Sequence, residues 1–66
     1  MNPVEKLMEA LKFYNIEVIS INENKVKVPP NFEIEIEANG IFKLLDDGYI
    51  VGPFADERQL CRFILS

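Results

Sequence analysis

The sequence predicts an α+β domain, a small antiparallel β-meander of about five strands with a helix at each end, in the order α-β-β-β-β-β-α. Apolar residues at helical spacing occupy positions 4–14 and again 60–64, and short β-branched or alternating runs lie between them. The connections between these runs are short, so consecutive strands are expected to be neighbours in one sheet. Residues 1–66 then form a single small globular domain.

The first helix is predicted from its start signals and from one apolar stripe. Asn2 is a favourable N-cap, Pro3 suits the first helical position, and Glu5 stands three residues after the cap. The stripe is made by residues at helical spacing: Val4, Leu7, Met8, Leu11 and Tyr14. Phe13 falls nearly opposite the stripe, so either the helix has ended there or Phe13 is exposed.

Two strands follow, "IEVISI" and "KVKV", separated by "NEN". A two-residue loop and a three-residue loop place different halves of residues 16–21 on the core side, and both registers are open. The prolines of "PPN" then turn the chain, because two prolines cannot continue a central strand.

The third strand, residues 32–37, alternates apolar residues with Glu33, Glu35 and Glu37. We refer to the side of the sheet that carries these glutamates as the glutamate face. If "PPN" and "ANG" are three-residue connections, apolar residues meet apolar residues, and acids meet bases, on both sides of this strand. The acid–base pairs are Lys25 with Glu35, Lys27 with Glu33, and Glu35 with Lys43.

This register gives the fourth and fifth strands a predicted apolar surface on the glutamate face. It is the candidate interaction surface, and its residues are Ile41, Leu45, Tyr49 and Val51. The core is expected on the other side, with Ile34, Ile36, Phe42, Leu44 and Ile50. Large exposed apolar patches are uncommon on monomers. The C-terminal helix, another copy of the chain or a partner is therefore expected to cover the surface, unless the register is shifted.

The last helix is predicted after "GPFA", with Asp56 as cap, Gln59 completing a capping box, and a broad apolar face that includes Leu60 and Cys61. The segment "FKLLDDGYIVGPFADERQLCRFI" resembles the hairpin–Gly-Pro-Phe–helix segment of GYF-type adaptor domains. That resemblance implies binding of proline-rich peptides through aromatic residues. The resemblance covers about a third of the chain. The chain differs from these domains in having no tryptophan and in ending where a Gly-Tyr-Phe element would follow.

Composition excludes several kinds of function. The chain has 7 Lys+Arg against 11 Asp+Glu, a net charge of −4, which argues against binding nucleic acid or anionic membranes. It has no histidine, and its only cysteine is Cys61, so it offers no nucleophile–base pair and no internal disulfide. No cofactor motif, signal peptide or membrane span is visible, and a cytoplasmic location is expected.

The sequence therefore favours a non-catalytic protein-interaction domain that self-associates, without catalytic residues, cofactor or metal. One alternative is a peptide-binding adaptor of the GYF type. A second is a small enzyme or metal-dependent regulator that uses the row of glutamates. Side chains on alternate positions of a strand are about 6.6–6.8 Å apart. Oxygen ligands of calcium or magnesium lie about 2.0–2.6 Å from one ion, so this row cannot bind a metal without another element.

Overall fold

A computed structural model describes residues 2–66, and it has the predicted order of elements. The two helices are α1 (Pro3–Phe13) and α2 (Glu57–Leu65). The strands are β1 (Ser20–Asn22), β2 (Lys25–Val28), β3 (Phe32–Ile36), β4 (Phe42–Asp46) and β5 (Tyr49–Phe54). All neighbouring strands are antiparallel and follow one another in chain order across a five-stranded sheet. The predicted α+β meander is confirmed.

Both helices begin at the predicted caps. The Asn2 side chain accepts a hydrogen bond from the Glu5 backbone N–H at 2.8 Å, and its amide donates to the Glu5 carboxylate at 3.0 Å. Asp56 caps α2 by accepting from the backbone N–H of Arg58 at 2.8 Å, rather than by pairing with Gln59. Helix α1 continues through Phe13, whose side chain is 79% exposed, which decides between the two alternatives that the sequence left open.

The first hairpin has a two-residue loop, Glu23–Asn24, because Asn22 lies opposite Lys25. Glu23 has a φ of 57°, the left-handed conformation that such short loops require. The Asn24 amide donates to the Ile36 carbonyl at 3.0 Å and so ties this loop to the end of β3. Of the two possible registers, the structure has the one that places Ile21 opposite Val26.

The register predicted for the middle of the sheet is confirmed. Lys27 lies opposite Glu33, and Glu35 lies between Lys25 on one side and Lys43 on the other. The connection between β3 and β4 closes with a hydrogen bond of 2.9 Å from the Glu37 N–H to the Ile41 carbonyl. Gly40 in this loop has a φ of 85°, which only glycine adopts without steric cost.

The core lies on the side of the sheet opposite the glutamates. Both helices pack there, and the buried residues of helices and strands form one cluster. Its members are Leu7, Ala10, Leu11, Ile16, Val26, Val28, Ile34, Ile36, Phe42, Leu44, Leu60 and Cys61. The fold therefore has two layers, with both helices on one face of the sheet and no element on the other among residues 2–66.

Strand β5 differs from the sequence prediction. Its turn with β4 has two residues, so Tyr49 lies opposite Asp46 and Ile50 lies opposite Leu45. Ile50 is 64% exposed, so the prediction that it belongs to the core is wrong. A bulge then shifts the register: Gly52 lies opposite Leu44, and Val51 is the additional residue.

Candidate functional site

The candidate site is the glutamate face at β4 and β5. Residues that lie directly opposite each other on neighbouring antiparallel strands point to the same side of the sheet. Leu45 lies opposite both Glu33 and Ile50, and Pro53 lies opposite Lys43. The apolar residues of this side form what we name the apolar strip: Ile41, Leu45, Ile50 and Pro53.

All members of the apolar strip are accessible. Leu45 and Ile41 are half-buried, Pro53 is exposed, and the Ile50 side chain is 64% exposed. Val51 of the bulge is 39% exposed beside them. In the strip, aliphatic side chains on two neighbouring strands lie side by side and are accessible to solvent.

Tyr49 does not belong to the strip, although the sequence placed it there. It lies opposite Asp46, which in turn lies opposite Phe32, so it points to the side of the sheet where the core lies. It is nevertheless 76% exposed and is not among the residues that pack against the core. Ile50 takes the position that the sequence assigned to Tyr49.

The other half of the glutamate face is charged, and we name it the charged half: Lys25, Lys27, Glu33 and Glu35. Lys43 adjoins it, and its amino group lies 3.1 Å from a Glu35 carboxylate oxygen. That hydrogen bond and the charge of Glu35 raise the pKa of Lys43, with a smaller contribution from Glu37. Lys25 and Lys27 make no ion pair within 4 Å in the described part of the chain.

The glutamate row does not gather into a metal site. Within residues 2–66, no group of three or more histidine, cysteine, aspartate or glutamate side chains is arranged to hold a metal ion. Glu35 is engaged by Lys43, and Glu33 lies between Lys27 and Leu45. The row instead separates the apolar strip from the lysines of β2.

The thiol of Cys61 is part of the core. Its side chain is fully buried in α2, and burial, together with the charge of Glu57, raises its pKa to about 11. A reactive cysteine has the opposite character, with a lowered pKa and access to solvent. Cys61 therefore acts as a small apolar residue that fills space under the helix.

The Gly-Pro-Phe segment that resembles GYF-type domains lies inside β5. Phe54 lies opposite Phe42, is half-buried against the core, and its ring centre is 5.5 Å from that of Phe63. Pro53 occupies the opposite side of the strand, on the glutamate face. The aromatic ring of this segment is thus engaged in packing between the sheet and α2.

Two surface clefts lie away from the apolar strip, and the second of them borders the charged half at Lys27 and Glu33. One, of about 460 Å³, lies between α1 and the start of α2 and is lined by Lys6, Glu9, Ala10, Phe13, Tyr14, Glu57 and Arg58. The other, of about 300 Å³, lies where the β2–β3 connection meets the turn between β4 and β5. Both are open, and charges of both signs surround the first. The position of this first cleft depends on how α1 and α2 pack together, and the helical periodicity of the sequence does not reveal that packing.

In the part of the chain that the structure describes, neither helix has the length and apolar character needed to cross a membrane. The chain matches no protein-family model, no curated protein and no solved structure.

Proposed function

We propose that this chain is a non-catalytic domain that self-associates through the glutamate face. The observation that carries the proposal is the pair Leu45 and Ile50, which lie opposite each other on neighbouring strands with no layer above them. Secondary-structure elements usually bury their apolar face against another element, so the uncovered strip is our candidate for the surface that a second copy covers.

Neither helix covers this strip. The buried residues of both helices, among them Leu7, Leu11 and Leu60, contact the opposite side of the sheet. A helix cannot cover both faces at once, so neither α1 nor α2 is available for the strip. Its partner in this proposal is a second copy of the chain.

The small size of the domain supports association. A chain of 66 residues buries only about 60% of the surface that its unfolded form exposes, which leaves little stability to spare. Burying Leu45, Ile50 and Val51 between two copies adds apolar burial at about 25 cal/mol per Å² before the cost of association. A dimer is a common way for a small domain to enlarge its core.

A non-catalytic role is consistent with the chemistry of the side chains. The chain has no histidine, and its single thiol is buried with a pKa raised to about 11. Ser66 donates its hydroxyl hydrogen bond to the Phe63 carbonyl at 2.7 Å, where it ends α2. These residues serve the fold, and none of them is paired with a general base.

Sedimentation velocity over micromolar to millimolar concentrations tests the proposal. The wild-type chain is expected to show a reversible increase in mass toward that of a dimer. Ile50→Lys should abolish the increase, because it places a charge in the centre of the apolar contact. A wild-type chain that stays monomeric at millimolar concentration would overturn the proposal.

Two control variants separate the glutamate face from the other exposed apolar residues. Ile21→Lys changes the free edge strand β1, where the side chain is 53% exposed, and Phe13→Lys changes α1, where it is 79% exposed. Both should associate as the wild type does. If Ile21→Lys abolishes association and Ile50→Lys does not, the copies pair through the β1 edge, and the proposed surface is wrong.

A further inference from the structure

The apolar strip is too small to hold two copies together alone. With strands about 4.8 Å apart and a rise of about 3.4 Å per residue, a strip two strands wide and about five residues long covers roughly 160 Å² in projection. Two copies would bury about twice that area. Specific interfaces bury about 1,200 Å² or more, and total areas below about 800 Å² are typical of incidental contacts.

The complete glutamate face comes much closer to the required size. The five strands, of three to six residues each, cover roughly 375 Å² in projection, or about 750 Å² for two copies, and the relief of the side chains increases the accessible area further. No element covers the charged half either: Lys25 and Lys27 are exposed, and Glu33 and Glu35 are half-buried. An interface between two copies therefore has to include the charged half.

The charges of the face suit a second copy of the same chain. Lys25, Lys27 and Lys43 balance Glu33, Glu35 and Glu37, so the face is neutral. The net charge of −4 lies entirely on the rest of the chain. Two copies can therefore approach through this face without bringing a net charge of one sign together, which is not true of the rest of the surface.

We infer that the charged half lies inside the interface between copies, where Lys25 and Lys27 pair with Glu33 and Glu35 of the second copy. This inference rests on the self-association proposed above and adds the residues that select the partner. Lys43 already pairs with Glu35 in its own chain at 3.1 Å, whereas the lysines of β2 have no ion pair of their own. They are the cations of the glutamate face that remain available to another molecule.

A two-fold axis that runs across the strands is compatible with these contacts. It places the apolar strip of one copy over the strip of the other and the charged half over the charged half, with the helices on the outside. This axis also places the lysine row of one copy over the lysine row of the other, so each lysine has to reach sideways by one strand, about 4.8 Å, to the partner's glutamate row across about 10 Å. The long, flexible lysine side chain is suited to such a displacement. An axis along the strands through β3 would instead place apolar residues over charged ones.

Charge reversal tests this inference by sedimentation velocity. The variant Lys25→Glu/Lys27→Glu and the variant Glu33→Lys/Glu35→Lys should each self-associate at least tenfold more weakly than the wild type. Their equimolar mixture should associate at least as tightly as the wild type, because each variant supplies the charges that the other lacks. The measurement is made at about 0.15 M salt, where charges separated by more than about 8 Å are screened.

The matched control for Lys25→Glu/Lys27→Glu is Lys6→Glu/Lys12→Glu, which makes the same change in net charge on α1 and should leave association unchanged. If the face variants associate as the wild type does while Ile50→Lys still abolishes association, the charged half lies outside the interface. In that case the inference is wrong and the proposed function stands. If Ile50→Lys has no effect, both are wrong. Circular dichroism of each variant verifies that the fold is retained.

Discussion

The two faces of the sheet differ in what covers them, although the same strands build both. On the helix side, β3 and β4 present Ile34 and Leu44, which are fully buried under α1 and α2. On the glutamate face the adjacent residues, Glu35 and Leu45, are only half-buried. A strand of this protein thus places one side chain in a completed core and the next on an uncovered surface.

This difference shows that the domain can build its core on one face of the sheet while the other face stays uncovered. One face suffices to build a core that includes both helices, and the other is left to charges and to the apolar strip. Antiparallel sheets commonly have one solvated face, and the residues that each strand places on that face are normally polar. The apolar strip breaks this pattern, and the break is what points to association.

Truncating one leucine on each face should give the largest contrast. Leu44→Ala removes a fully buried side chain and is expected to lower the free energy of unfolding by about 3 kcal/mol. Leu45→Ala, one residue later, should lower it by less than about 1 kcal/mol when measured on the dilute monomer, because its side chain is already partly solvated. Urea denaturation of both variants makes the comparison. Equal losses would show that the glutamate face is part of the folding core.

Alkaline pH should weaken the helix side through Cys61. Its folded-state pKa of about 11 is above the ordinary value of 9.0, so the folded protein disfavours the thiolate. The stability contributed by the buried thiol is complete below about pH 9 and is lost as the pH rises toward 11. The loss is expected to reach about 2–3 kcal/mol. Urea denaturation between pH 7 and 11 measures it.

Cys61→Ala provides the control for this pH dependence. It should be less stable than the wild type at neutral pH, because it leaves a small cavity, but its stability should fall less between pH 9 and 11. Part of the remaining fall comes from Lys43, whose raised pKa also makes its contribution disappear at high pH. Identical alkaline curves for the two proteins would contradict the role given to the buried thiol.

The ion pair on the glutamate face should have the smallest effect. Lys43→Gln removes the partner of Glu35, but the pair is open to solvent, and such pairs contribute little to stability. Its unfolding midpoint in urea should lie closer to that of the wild type than the midpoint of Leu44→Ala or Leu45→Ala. A loss comparable with that of Leu44→Ala would mean that the charged half stabilises the monomer instead of remaining available to a second copy.

The sequence sufficed for the register of β2, β3 and β4, because two independent patterns agree there. Pairing Ile34 with Leu44 also pairs Glu35 with Lys43, so a slip of one residue would disrupt both. Strand β5 has no such pattern. In "YIVGPF" three apolar residues follow one another without a charge to indicate which side faces solvent, and neither the two-residue turn nor the bulge that shifts the register is apparent from composition.

The candidate site was therefore predicted only in part. Ile41 and Leu45 follow from the register of β3 and β4, and the structure places both on the glutamate face. Ile50 was missed, and Tyr49 took its place, because their positions depend on the turn that precedes them. The predicted surface places Tyr49 opposite Leu45, with all of "DDG" in the turn; in the structure Asp46 pairs with Tyr49, and the turn has two residues, the first of which, Asp47, has a φ of 54°.

The most direct test of the central claim is an isotope-filtered NMR experiment on a mixture of labelled and unlabelled chains, which detects contacts between copies only. The methyl groups of Leu45 and Ile50 are expected to show such contacts with residues of the glutamate face of the other copy. Ile21, on the free edge of the sheet, should show none. Contacts from Ile21 without contacts from Leu45 or Ile50, or no contacts at millimolar concentration, would contradict the claim that the uncovered face is where this protein binds its own copy.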